Sequence, residues 1–274
     1  MVEQFKYQSD EFDRNAQRHI IPIYIRDSLG NYVYSSTGTL AKHQDHHYVL
    51  FAAHALDGGT SIDQLYAFMK DGTFYNLAAN SVAHKVFKNE DIGIFDLFNI
   101  AFDGKNYFDL HETSLIGLDK KHFYWIGFPR SKSKSKQIHR SKTPEALVQQ
   151  YVQEQEDGSY FTNTKYFAIH SKLITNNNME MTGKYDRENT NLKYAGRVSM
   201  APHPSGMSGG AMYFSTKAQK LQSRVIDTFR FAGIGVKYKK DNAIVGVPRT
   251  KIIELLNLFE KEQPMTYQII GQQP

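Results

Sequence analysis

Between residues 20 and 110 the apolar positions fall in short alternating or continuous runs, cut by turn residues every few positions. IIPIYIRD (20–27) breaks at Ser28-Leu29-Gly30-Asn31 before YVYSSTGTLAK (32–42). HQDHH (43–47) reads as a hairpin tip, and YVLFAAHAL (48–56) continues from it. QLYAFM, a turn at Asp71-Gly72, FYNLAA, SVAHKVF and DIGIFDLF complete the set. Strands of this length and spacing predict an all-β barrel or sandwich. A second strand-rich set opens near residue 118 with HFYWIGFPR (122–130). The stretch from Ser131 to about Thr190 is polar and embellished, with strand-like pieces at KYFAIHSKLI and, further on, KYAGRVSMA. GAMYF, FAGIGVKY and AIVGVP follow. Beyond Pro248 the period changes: Ile252, Leu255, Leu256 and Phe259 fall at i, i+3, i+4 and i+7, which predicts an amphipathic C-terminal helix.

Composition narrows the classes. A chain of 274 residues can bury a substantial core, as one large β domain or two small ones. It has no cysteine, which excludes disulfides, cysteine-ligated metal and a thiol nucleophile, and leans toward a reducing compartment. The N-terminus is polar without an apolar signal core, and no apolar run is long enough to cross a bilayer. The expectation is a cytoplasmic protein without a membrane partner. The segment from Arg130 to Lys142 holds six basic residues and no acid, so the net charge of +5 sits there and the rest is near neutral. Local basicity of this kind argues against a protein built around a broad nucleic-acid surface. The segment reads as a solvated loop; any anionic partner it held would bind with a steep salt dependence.

The candidate chemistry lies in HPSGMSGGAMYF, His203 to Phe214. Gly206-x-Ser208-x-Gly210 fits two unrelated hydrolase motifs, and also a plain glycine-rich turn leading into a strand. The nucleophile elbow of α/β-hydrolases needs a histidine after the serine, yet all eleven histidines lie at or before His203. The other order, His then Asp then Ser, is available: His54 ends an apolar run, Asp91 opens another, and Ser208 comes last. Asp96 and Asp103 are the reserves for the acid, although an unpaired carboxylate at Asp96, inside an apolar run, would be expensive.

With these residues in place, the chain resembles the chymotrypsin-like (trypsin-fold) serine peptidases, above all the disulfide-free bacterial HtrA-type branch. GTL…YVLFAAHAL, DIGIFDL and GMSGGAMYF are similar to the three segments that carry that family's triad, and WIGFP, FAGIGV and AIVGVP to segments of its second barrel. The resemblance covers roughly residues 20–260. It implies two six-stranded Greek-key β-barrels with a C-terminal α-helix: a polar extension (1–19), an N-terminal barrel (20–115) carrying His54 and Asp91, a C-terminal barrel (116–248) carrying Ser208, and a helix and tail (249–274). It also implies a serine endopeptidase working through an acyl-enzyme. Ser208 would be nucleophile, His54 general base and acid, and Asp91 the orienter. The backbone N–H groups of Gly206 and Ser208 would form the oxyanion hole. Pro202, Gly235 and Val236 would line the substrate pocket, and no metal or cofactor is implied.

The chain departs from the family in places. Met207 stands where zymogen-activated relatives carry an aspartate that pairs with a new N-terminus, so no activation by N-terminal trimming is expected. Pro202 at the pocket base is not acidic, which disfavours a carboxylate-based preference for Lys or Arg. The C-terminal helix lies too near the end of the chain for the PDZ domain usual in the HtrA type, so a separate regulatory partner is the substitute. His43, His46 and His47 raise a metal question, but the resemblance puts them on a solvated hairpin tip, away from the cleft. The competing classes are a catalytically silent binding module using the same cleft, and a basic nucleic-acid-binding β protein for which the triad order is coincidence.

Overall fold

The structure is a computed structural model that describes residues 11–69, 72–111, 120–131, 152–154, 160–162, 166–194, 197–216 and 221–262. The basic segment past Ser131 lies outside the described residues.

The first half forms one curled antiparallel sheet of β1 (Ile20–Arg26), β2 (Tyr32–His43), β3 (His46–Ala52), β4 (Leu65–Phe68), β5 (Phe74–Asn76), β6 (Ala83–Phe87) and β7 (Ile92–Asp96). The spatial order is β5-β4-β1-β2-β3-β7-β6, with β8 (Phe108–Asp109) running parallel along β2. This sheet is a half-barrel rather than a ring. The second half contains β9 (His122–Gly127), β10 (Val152–Glu154), β11 (Tyr160–Thr162), β12 (Phe167–Asn176), β13 (Met181–Lys184), β14 (Asn191–Tyr194), β15 (Arg197–Met200), β16 (Gly210–Ser215), β17 (Phe229–Tyr238) and β18 (Ala243–Pro248). Six of these close a barrel in the order β12-β13-β18-β17-β16-β9, while β10–β11 and β14–β15 are separate two-stranded ribbons.

Alternation along the strands sorts the side chains into three apolar clusters. Ile21, Ile23, Leu40, Val49, Phe51 and Phe95 fill the half-barrel. Phe123, Trp125, Ile169, Met181, Met212 and Ile244 fill the closed barrel. A third cluster joins the two, with Tyr34, Leu50, Phe128, Tyr213, Phe229 and Ile234 among its members. The C-terminal helix Arg249–Glu262 seals that cluster with the face expected from its period, Ile252, Leu255, Leu256 and Phe259 all being buried. Tyr48 donates to Glu260 (2.8 Å) and Lys85 pairs with Glu262, which tie the helix to the half-barrel. Among the described residues no helix is long and apolar enough to cross a membrane.

Two local differences from the sequence expectations have physical causes. The polar stretch before residue 20 contains a helix, Glu11–Gln17, whose Phe12 and Ala16 are buried. Phe12 lies 4.8 Å from the Phe229 ring, so two apolar residues one turn apart suffice where the cavity is ready-made. The HQDHH tip is solvated only at Gln44 and Asp45, whose positive φ values of 45° and 68° make a two-residue hairpin turn. The flanking histidines pack inward. His43 is buried with Nε2 3.1 Å from Asn257 Oδ1, His47 lies against the Tyr107 ring, and His46 Nδ1 is 2.8 Å from Asp96 Oδ2. Asp96 is thus buried with a partner, and it also accepts the Phe98 N–H at 2.7 Å. Among the described residues no group of histidines and acids gathers into a metal site.

His19 has a consequence for stability. It is buried with Nδ1 against the carbonyls of Asn15 and Ala16, and its ring stacks on Phe108. Burial, helped weakly by the Lys105 and Arg18 charges, lowers its pKa from 6.5 to about 4. The unfolded chain therefore takes up a proton that the folded one refuses. The stability contribution is whole above pH 6.5 and is lost as pH falls toward 4, to the extent of roughly 3 kcal/mol. His19→Phe is expected to flatten the acid limb of a urea-unfolding series between pH 7 and 4. An unchanged limb would assign the acid lability elsewhere.

Candidate active site

His54 stands at the end of β3, where the chain leaves the sheet in a 3-10 turn, Ala53–Leu56. Asp91 closes the β6–β7 turn in a left-handed conformation (φ 57°), which aspartate tolerates better than most residues. Because β7 pairs with β3, that turn delivers Asp91 to His54. Three bonds follow. Asp91 Oδ2 is 2.7 Å from His54 Nδ1, Oδ1 accepts the His54 backbone N–H at 2.8 Å, and the Asp91 carbonyl accepts the Ala53 N–H at 3.1 Å. A carboxylate accepts only, so Nδ1 carries the proton and Nε2 keeps its lone pair. The His54 side chain is 40% exposed, open enough to meet a substrate. Its pKa is raised, first by the hydrogen bond to Asp91; burial opposes this, the Asp91 and Asp57 charges add to it, and Lys237 subtracts.

Ser208 lies in the loop between Pro204 and β16. The loop packs against the end of β3: a β-carbon on Gly209 would run into Thr37 O and lie 3.0 Å from Ala52 N, two residues before His54. Thr37 donates its N–H to the Ser208 carbonyl at 3.0 Å. His54, Asp91 and Ser208 are therefore carried by adjoining segments. The His54–Asp91 bond is made, whereas the Ser208 hydroxyl makes no hydrogen bond among the described residues. Such hydroxyl–imidazole contacts are often loose until a substrate is bound.

The loop carbonyls are all engaged. Ser205 O accepts from Arg130 N (2.7 Å), Gly206 O from Thr37 Oγ1 (2.9 Å) and Tyr34 Oη (2.7 Å), and Met207 O from Gly210 N (2.9 Å). In a trans peptide the N–H points opposite to the preceding C=O. With Ser205 O and Met207 O turned into the protein, the N–H groups of Gly206 and Ser208 face the other way, and neither donates to an acceptor among the described residues. Gly206 has φ +93°, and a β-carbon there would sit 2.6 Å from the Tyr34 ring. This is an arrangement suited to an oxyanion.

The pocket candidates fall nearby. Pro202 is buried and its carbonyl accepts from Tyr185 Oη at 3.0 Å. Gly235 O accepts from Gly209 N at 2.8 Å, and Trp125 occupies the space a Gly235 side chain would need. Val236 turns its side chain into the cluster joining the two halves, so its contribution to a pocket would be its backbone. Sequence reasoning did not single out Tyr34 and Thr37. They sit inside an ordinary strand pattern, and only the fold brings them to Gly206.

No protein-family model matches the sequence, and no curated protein does. Among solved structures, that of the scabies mite inactivated protease paralogue S-I1 superposes over 93% of this chain and 99% of its own, with a TM-score of 0.51 and 9% sequence identity. The chain has the chymotrypsin-like fold. The half-barrel carries His54 and Asp91, and the loop that leads into β16 of the closed barrel carries Ser208. An identity of 9% carries the fold alone.

Proposed function

We propose that this chain is a serine endopeptidase that cleaves protein or peptide substrates through an acyl-enzyme. The observation that carries the reading is the double grip of Asp91 on His54, which leaves Nε2 its lone pair at the end of the strand against which the Ser208 loop packs. Ser208 Oγ attacks the scissile carbonyl carbon while His54 Nε2 takes its proton, and the carbonyl oxygen becomes an oxyanion facing the Gly206 and Ser208 N–H groups. The C–N bond then breaks as His54 returns the proton to the leaving amine. Water repeats the sequence on the acyl-enzyme, releasing the acid and restoring Ser208.

Pro202, Gly235 and Val236 are placed along the substrate cleft in this reading. The likeness of WIGFP, FAGIGV and AIVGVP to the HtrA-type branch supports a place near that branch, and the lack of cysteine supports a cytoplasmic setting.

The test is labelling with a fluorophosphonate, which phosphonylates an activated serine. The wild type is expected to form one adduct, and Ser208→Ala none. A folded wild type that never forms a Ser208-dependent adduct would remove the peptidase reading and favour a binding module using the same cleft.

A further inference from the structure

Zymogen-activated relatives hold the loop before the nucleophile with a buried aspartate. Met207 cannot do so, because its side chain is wholly buried in an apolar cluster. The loop is nonetheless fastened from the opposite barrel. Thr37, wholly buried on β2, accepts the Phe128 N–H at 3.0 Å and gives its own proton to Gly206 O at 2.9 Å. The Tyr34 hydroxyl, also on β2 and buried, shares its proton between Gly206 O at 2.7 Å and Phe128 O. Burial pushes the Tyr34 phenol well above its ordinary pKa, so it stays a donor throughout the working range.

Gly206 O belongs to the peptide between the two peptides whose N–H groups donate to no acceptor among the described residues. Holding that carbonyl sets ψ of Gly206 and φ of Met207, and with them the angle between the two donors. Gly206, at φ +93°, could otherwise rotate through a wide range, since glycine alone lacks the steric fence.

We infer that Tyr34 and Thr37 are the positioning residues of the oxyanion hole, a cross-barrel clamp on Gly206 that keeps the two donors aligned without proteolytic processing. The inference rests on the peptidase reading above. It also differs from a general packing role, because the two hydroxyls converge on one carbonyl oxygen and neither hydrogen-bonds to His54 or Asp91.

The experiment measures the rate of fluorophosphonate labelling at Ser208 against pH for the full chain, since the phosphoryl oxygen takes the place of the oxyanion. Tyr34→Phe and Thr37→Val are each expected to slow labelling about 10-fold, and the pair about 10²-fold, the scale of losing one oxyanion donor. The pH midpoint, which follows His54, should stay put, and Thr37→Ser should label within threefold of wild type. A folded double variant labelled within threefold of the wild-type rate overturns the clamp. So does a loss carried by a shifted pH midpoint, which would place the effect on His54. If the double variant does not fold, Tyr34→Phe alone decides: it keeps the ring and loses only the hydroxyl, and a rate within twofold of wild type overturns the assignment. A wild type that is never labelled fails differently, removing the peptidase reading and the clamp with it.

Discussion

Asp91→Asn is expected to lower turnover by about 10⁴-fold while the protein stays folded. The reason is the tautomer. In the wild type Asp91 Oδ1 accepts the His54 backbone N–H and Oδ2 faces Nδ1. Asparagine can satisfy the backbone N–H only with its own oxygen, which turns its NH₂ toward Nδ1. Nδ1 must then accept, the ring proton moves to Nε2, and no lone pair remains to take the Ser208 proton. Acidity should change as well. The wild-type rate requires neutral His54, so activity is present above the His54 pKa and is lost as pH falls through it. That midpoint lies above 6.5, because the Asp91 bond and charge outweigh burial and Lys237. In the asparagine variant the residual rate should have a lower midpoint as well as a lower plateau. Peptide turnover measured from pH 5 to 9 reads both. A variant with wild-type turnover would take Asp91 out of the mechanism.

The three residues proposed for the site were legible as candidates because each sits in a local pattern with its own physical reason. His54 follows an apolar strand, Asp91 follows a polar turn, and Ser208 is fenced by glycines whose positions leave no room for a side chain. Order along the chain then chose between the two motifs. The clamp was not legible, because strict alternation puts Tyr34 and Thr37 on opposite faces of β2, the register shift between Tyr34 and Ser36 is needed to bring both to one side, and their partners lie in the other barrel. The histidine hairpin went the same way. His46 looks solvated in sequence because Asp96, its buried partner, lies on β7, and the pairing of β3 with β7 that joins them is a long-range contact. The N-terminal helix was missed because a seven-residue segment with two anchors has too little period to detect. For the clamp and the histidine hairpin, local pattern identified the strands and turns, and the missing information was which strand faces which.

Met207→Asp, which puts an acid immediately before Ser208 as in zymogen-activated serine peptidases, is expected to destabilise the protein by roughly 4 kcal/mol at neutral pH and to abolish activity. Met207 rests on Gly127, whose own β-carbon would lie 2.9 Å from Met207 Cα, and shares its cluster with Phe123, Trp125, Ile169, Met181 and Met212. A carboxylate there has lost water and meets no cation in that cluster, so burial must raise its pKa. The unfolded chain releases that proton near pH 3.9 and the folded one only later, so the penalty grows as pH rises above 3.9 and shrinks below it. Compared with wild type at each pH, the variant's deficit in urea unfolding should therefore be smaller at pH 4.5 than at pH 7.5. Met207→Leu keeps the volume and should cost under about 1.5 kcal/mol, with the loop and its labelling intact. An aspartate variant as stable as wild type at pH 7.5 would mean that a cation reaches this position after all. The loop would then have an ionic anchor available, and the hydroxyls of Tyr34 and Thr37 would no longer be its necessary support.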